Sequence, residues 1–130
     1  MSTASQAHIA DFDSDRVAIV ALQAFFHIAE AWGLDGEAQR ILLGSPSRRT
    51  LSRWRAGEAP QLPRDTLERI SVLTGIWKAL HILLPVAEQA DGWIHRPNAA
   101  FGERSALQVM LRGQVDDLYT IRRHLDAWRG

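Results

Sequence analysis

Arginine and hydroxyl side chains crowd one short stretch, Gly44 to Gly57 (GSPSRRTLSRWRAG), and their chemistry is that of phosphate and base-edge recognition. Wound as a helix from Pro46, the stretch puts Ser47, Leu51 and Trp54 on one side, the spacing of a face that packs inward. Arg49, Ser52 and Arg53 fall opposite, with Arg48 and Arg55 on one flank and Thr50 on the other. Guanidinium forks match guanine edges and phosphate oxygens, so Arg49, Ser52 and Arg53 are the expected groove-facing groups. Ser45, Ser47, Arg48 and Arg55 are expected on phosphates, helped by the positive end of the helix. Ser45 is the expected cap, Pro46 the first helical residue and Gly57 the stop.

Other residue types that could do chemistry do not converge. The histidines (His8, His27, His81, His95, His124) show no metal-ligand spacing and no neighbouring nucleophile, so surface or satisfied positions are expected. Asp116 and Asp117 open a helix, where negative charge complements the dipole, which accounts for the pair without acid–base catalysis. There is no glycine-rich phosphate loop, and the lack of cysteine excludes disulfides, thiolate metal sites and Cys nucleophiles. No catalytic residue, metal or cofactor is expected.

The 130 residues suffice for one domain, or one small domain with an intimate extension, and 46% hydrophobic residues suffice for a core. No apolar run of membrane-spanning length and no leader pattern is present, so a soluble cytoplasmic protein is expected. The formal net charge of zero is unevenly spread. Residues 1–37 hold Arg16 alone against six acids, while residues 38–64 hold six arginines against Glu58 alone. The positive field therefore falls on the arginine-rich stretch, where a polyanion gains most from it.

Positioning that stretch requires helices throughout. Residues 1–12 read as a loose terminus, with Asp13 or Ser14 capping a first helix that buries Val17, Ala21, Ala24, Phe25, Ile28 and Trp32. Asp35 caps a second helix, about Gly36 to Leu43, and the turn at Gly44 leads into the arginine helix. Two short helices joined by such a turn make a helix-turn-helix. Pro63 opens a helix with Leu67, Ile70, Leu73, Trp77, Leu80 and Leu84 apolar, and Gly75 reads as a break or bend within it. A short helical piece lies within residues 86–102, before the turn-rich Arg96-Pro97-Asn98. Ser105 caps a helix to Arg112, and a last helix from Val115 to Trp128 buries Val115, Leu118, Ile121, Leu125 and Trp128. The fold class is all-α, with residues 13–84 as a helix-turn-helix region and 85–130 as a second helical region. Trp32, Trp54 and Trp77 are expected in the core; Trp93 and Trp128 suit either packing or a partner's surface.

With these segments laid out, the chain resembles the MbcA/ParS/Xre antitoxin family from about Ser14 to Gly130. The first half carries Leu43-Gly44, Thr50-Leu51-Ser52-Arg53-Trp54-Arg55-Ala56-Gly57 and Leu62-Pro63-Arg64-Asp65, a helix-turn-helix string of low specificity. The specific part is Arg96-Pro97-Asn98, then Phe101-Gly102-Glu103-Arg104-Ser105-Ala106-Leu107, Met110, Gly113, and Asp117-Leu118-Tyr119 with Arg122-Arg123 and Leu125. Two departures stand out: the turn Gly44-Ser45-Pro46-Ser47 is one residue longer than usual, and Glu103 replaces a common second glycine.

The resemblance implies a type II antitoxin that is not itself an enzyme. Such a protein binds a RES-domain toxin, which destroys NAD, obstructs its active site in a hetero-oligomer, and represses its own operon. It also implies a toxin-binding segment from about Trp93 to the C-terminus. Trp93, Arg96, Pro97, Asn98, Arg104, Arg122, Arg123, Trp128, Arg129 and Gly130 are the residues it raises as toxin contacts. One short helix offers few contacts, so a homodimer reading two half-sites of operator DNA is expected. The rival readings are a stand-alone helix-turn-helix regulator whose second half only dimerises or senses a ligand, and a small hydrolase, for which no convergent residue set exists.

Overall fold

A computed structural model describes residues 3–58 and 61–130, with side chains from residue 15 onward. Seven helices make up most of it: α1 (Thr3–Ala31), α2 (Gly36–Leu42), α3 (Arg48–Arg55), α4 (Arg64–Leu83), α5 (Ala87–Gly92), α6 (Ala106–Met110) and α7 (Val115–Arg129). Two-residue strands β1 (Pro97–Asn98) and β2 (Arg104–Ser105) pair antiparallel, Pro97 opposite Ser105, and are the one departure from an otherwise all-α architecture among the described residues. Single turns of 3-10 helix, Trp93–His95 and Ala99–Phe101, flank β1.

The first helix starts ten residues earlier than the sequence pattern suggests. No Gly or Pro interrupts Thr3–Ala31, so Asp13 and Ser14 lie inside the helix rather than capping it. The expected loose terminus is helical from Thr3 onward, and Met1 and Ser2 lie outside the described residues. The buried stripe is also rotated by one position. Ala18, Leu22, Phe25, Ala29 and Trp32 face the core with Ile28, whereas Val17 is 56% exposed and Ala21 and Ala24 are half-buried.

Helix α4 is the axle of the molecule. Its Ile70, Leu73, Ile76 and Leu80 are buried against α1 on one side and α7 on the other, where Leu118, Ile121 and Leu125 are fully enclosed. Leu67, Trp77 and Leu84 are only half-buried. Gly75 does not break it: the helix is continuous from Arg64 to Leu83. A Cβ at Gly75 would collide with the Arg122 guanidinium, so the glycine leaves room for that group from α7 to rest across the helix. Arg122, which the resemblance raised as a toxin contact, is accordingly half-buried there. In α7, Val115 is half-buried and Trp128 is 47% exposed, so neither belongs to the enclosed core as expected. Helix α6 is shorter than the expected run to Arg112 and begins with a full capping box: Ser105 Oγ accepts from Gln108 N, and Gln108 Oε1 accepts from Ser105 N.

One apolar core runs through both halves, from Phe25 and Trp32 to Ile94, Met110 and Leu125. His95 Nε2 donates to the Trp32 carbonyl at 2.7 Å, tying the end of α1 to the turn before β1. Among the described residues no helix is long and apolar enough to cross a membrane.

Candidate nucleic-acid and partner interfaces

The geometry of the arginine helix is set by its two ends. Asp35 Oδ1 accepts from Ala38 N at the start of α2. At its finish, Gly44 N donates to Ile41 O and Ser45 N to Arg40 O, the paired bonds of a Schellman stop. Gly44 (φ +97°) and Ser45 (φ +60°) both take left-handed backbone, and Pro46 follows. The longer turn is therefore made of a helix stop plus one proline. Ser45 and Pro46 stay outside the next helix, and the cap is Ser47, whose Oγ accepts from Thr50 N at 3.1 Å and donates to Thr50 Oγ1 at 2.9 Å. Helix α3 ends in a second Schellman stop, Gly57 N to Trp54 O and Glu58 N to Arg53 O.

Packing anchors this helix from behind. Leu51 and Trp54 are 4% and 8% exposed, as their spacing implies, while Ser47, placed on the same side by the wheel, is exposed as the cap. Arg40 binds Glu37 Oε1 at 2.7 Å and donates from Nη1 to the Pro46 carbonyl at 3.2 Å, clamping the turn. The Arg40 hydrogen bond holds the Glu37 carboxyl below the usual carboxylate range.

The front of α3 is open. Arg48, Arg49, Ser52 and Arg53 are exposed, and Arg48 and Arg49 have no carboxylate partner among the described residues. Arg53 meets Glu58 at 3.4 Å, a loose surface contact. Arg55 differs from its neighbours: its guanidinium lies 5.7 Å over the Phe26 ring and donates to Gln39 Oε1 at 2.8 Å. It fixes α3 to α1 and α2 while remaining exposed. Thr50 is half-buried and engaged with the cap. Ser45 is exposed at the turn.

The second half builds an aromatic patch. His124 and Trp128, four residues apart on α7, share one face. The Trp93 ring stacks on His124 at 5.9 Å and tilts against Trp128 at 6.3 Å, and Phe101 meets His124 edge-on at 4.9 Å. Sequence named Phe101 only within the family motif and His124 only among the scattered histidines, neither as a partner contact, although the i,i+4 spacing of His124 and Trp128 is a usable sign. Arg96, Pro97, Arg104, Arg123, Arg129 and Gly130 are exposed, and Asn98 is half-buried, its Oδ1 accepting from Ala100 N in the hairpin. Arg123 pairs with Asp116 at 3.7 Å, and Arg122 with Asp126 at 3.1 Å beside Gly75. Arg96, Arg104 and Arg129 have no carboxylate partner among the described residues. The structure gathers Trp93 and Trp128 into one patch and sets Arg122 apart from it.

One residue that joins several elements at once was not predicted. Arg69 is 7% exposed; its Nε binds Asp65 Oδ2 at 2.8 Å, its Nη2 donates to the Gly113 carbonyl at 2.9 Å and its Nη1 to the Ile41 carbonyl at 3.5 Å. Next to it Thr66 Oγ1 donates to the Leu43 carbonyl at 2.9 Å. One guanidinium thus joins the end of α2, the start of α4 and the turn before α7.

These features describe a helical protein with an exposed arginine face on a helix-turn-helix and a separate aromatic patch in its second half. Comparison with known proteins agrees. Residues 14–73 match the antitoxin Xre-like helix-turn-helix domain, and residues 79–130 match the antitoxin Xre/MbcA/ParS C-terminal toxin-binding domain. The uncharacterized protein y4oB of Sinorhizobium fredii is 50% identical over 118 residues, 91% of this chain and 90% of its own length. The chain belongs to the Xre/MbcA/ParS antitoxin family, and its partner class is a toxin.

Proposed function

We propose that this antitoxin neutralises a RES-domain toxin that degrades NAD, by covering the toxin's active site, and that as a homodimer it represses its own operon. In this reading Arg49, Ser52 and Arg53 enter the major groove. Ser45, Ser47, Arg48 and Arg55 face phosphates, with Thr50 at the edge. Each bidentate arginine–guanine contact contributes about 1–3 kcal/mol of discrimination. Toxin contacts fall on Trp93, Arg96, Pro97, Asn98, Arg104, Arg123, Trp128 and Gly130, with Phe101 and His124 supporting the aromatic patch, while Arg129 lines the groove between α1 and α4 instead. Arg122 acts on the body of the fold, beside Gly75.

What supports the reading is the division of the surface: an arginine face backed by buried Leu51 and Trp54 in the first half, and an aromatic patch in the half that matches a toxin-binding domain. The test is co-expression with the adjacent reading frame, scored for growth and cellular NAD. Rescue of growth with NAD restored is the expected result. Unchanged NAD in cells arrested by that neighbour would exclude a NAD-degrading target.

A further inference from the structure

A groove of about 660 Å³ runs along the face where α1 and α4 lie side by side, and no residue of α3 or of the aromatic patch is among those that line it. Its apolar wall comes from Val17, Val20 and Ala24 of α1 and Leu67, Thr74 and Ile82 of α4. Val20 is 57% and Ile82 59% exposed, as Val17 is at 56%, an uneconomical arrangement for three large aliphatic side chains in water. Three cations line the same groove: Lys78, Arg122 and Arg129. Asp126 neutralises Arg122, whereas Lys78 and Arg129 have no carboxylate partner among the described residues. The sequence carries the complementary charge at the other end of α1: residues 1–15 contain Asp11, Asp13 and Asp15 and neither Lys nor Arg.

From this we infer that the groove is the seam of the homodimer, filled by α1 of a second copy. The inference rests on the dimeric reading above and identifies its interface. The valine ridge of α1 is also one wall of the groove, so a two-fold axis beside α1 lets each ridge enter the other copy's groove. That is the self-complementary arrangement a closed dimer requires. The acidic first half of each α1 then runs toward the partner's Lys78 and Arg129. Because Arg55 rests on Phe26 of α1, each reading helix is fixed to the helix that forms the seam.

Sedimentation velocity on the full chain, without toxin or DNA, tests this. The wild type sediments as a dimer. Val17→Asp with Val20→Asp, at exposed positions, sediments as a monomer with an unchanged far-UV circular dichroism spectrum. Lys78→Glu with Arg129→Glu weakens the dimer. Adding Asp11→Lys, Asp13→Lys and Asp15→Lys to that variant restores it, and this rescue decides the matter should the valine variant fold poorly. A wild type that is monomeric at micromolar concentration overturns the inference, as does a dimeric valine variant or the absence of rescue. A valine variant that stays dimeric but no longer co-purifies with the toxin assigns the groove to the toxin and equally overturns it. A monomeric variant that still binds toxin supports it, and neutralisation itself is scored separately.

Discussion

Glu103 holds a left-handed backbone (φ +67°) directly after Gly102 (φ +65°), in the loop that returns the chain from β1 to β2. A side chain there costs about 1–2 kcal/mol that glycine escapes, less glycine's own entropy loss in the unfolded chain. Glu103→Gly is therefore expected to stabilise the fold by about 0.5–1 kcal/mol, measured as a shift in the urea unfolding midpoint with unchanged slope. Arg49 and Arg53 present the opposite case, side chains that nothing in the fold needs. Changing both to Ala should abolish operator binding in a gel-shift assay and leave toxin neutralisation and thermal stability intact; loss of both activities in a folded double mutant would contradict the division of labour. At this scale the sequence was informative where side chains reach outward from a regular helix, as Arg48, Arg49 and Arg53 do. It was silent on Arg69, because a buried arginine looks like any surface arginine until its carbonyl partners, 28 and 44 residues away, are known.

Among the elements, α3 was legible because Leu51 and Trp54 are the only large apolar groups in eight residues, so just one face can turn inward. Helix α1 was not. Val17, Ala18, Ile19 and Val20 are all apolar, and neighbouring registers of the helical stripe fit them equally well; the small Ala18 takes the buried place and the larger three stay exposed. The cap of α3 moved from Ser45 to Ser47 for a similar reason: the stop of α2 consumes Gly44 and Ser45 before a new helix can begin. The α4–α7 contact carries a measurable pH signature. Tyr119 Oη donates to Glu68 Oε1 at 3.1 Å, and this bond to a carboxylate raises the phenol above the ordinary tyrosine value. A group raised in the fold contributes its stability fully below its unfolded value and loses it as pH climbs through the folded one. Tyr119 is the single tyrosine, so absorbance at 295 nm titrates it alone. The midpoint is expected above that of free tyrosine, and Glu68→Gln should bring it down.

For the molecule as a whole, the two matched segments, 14–73 and 79–130, meet inside the uninterrupted α4. Arg69 sits on that helix and bonds to both sides of it. Arg69→Met would leave the Gly113 carbonyl without its donor in a closed space, and a loss of roughly 2–3 kcal/mol is expected. Differential scanning calorimetry on the full chain checks this; an unchanged Tm would show that water replaces the guanidinium at little cost. Trp128→Ala should instead spare Tm, since the side chain is 47% exposed, and weaken toxin binding measured by calorimetric titration.

A practical consequence follows from the Arg69 strut for anyone exchanging specificities between related antitoxins. A chimaera spliced at the Pro85 turn would inherit a strut from one parent and its Gly113 acceptor from the other. Recombinants should hold together when the backbone at Ile41 and Gly113 and the side chains of Asp65, Thr66 and Arg69 travel as one set, and the toxin repertoire can then be swapped without retuning the operator.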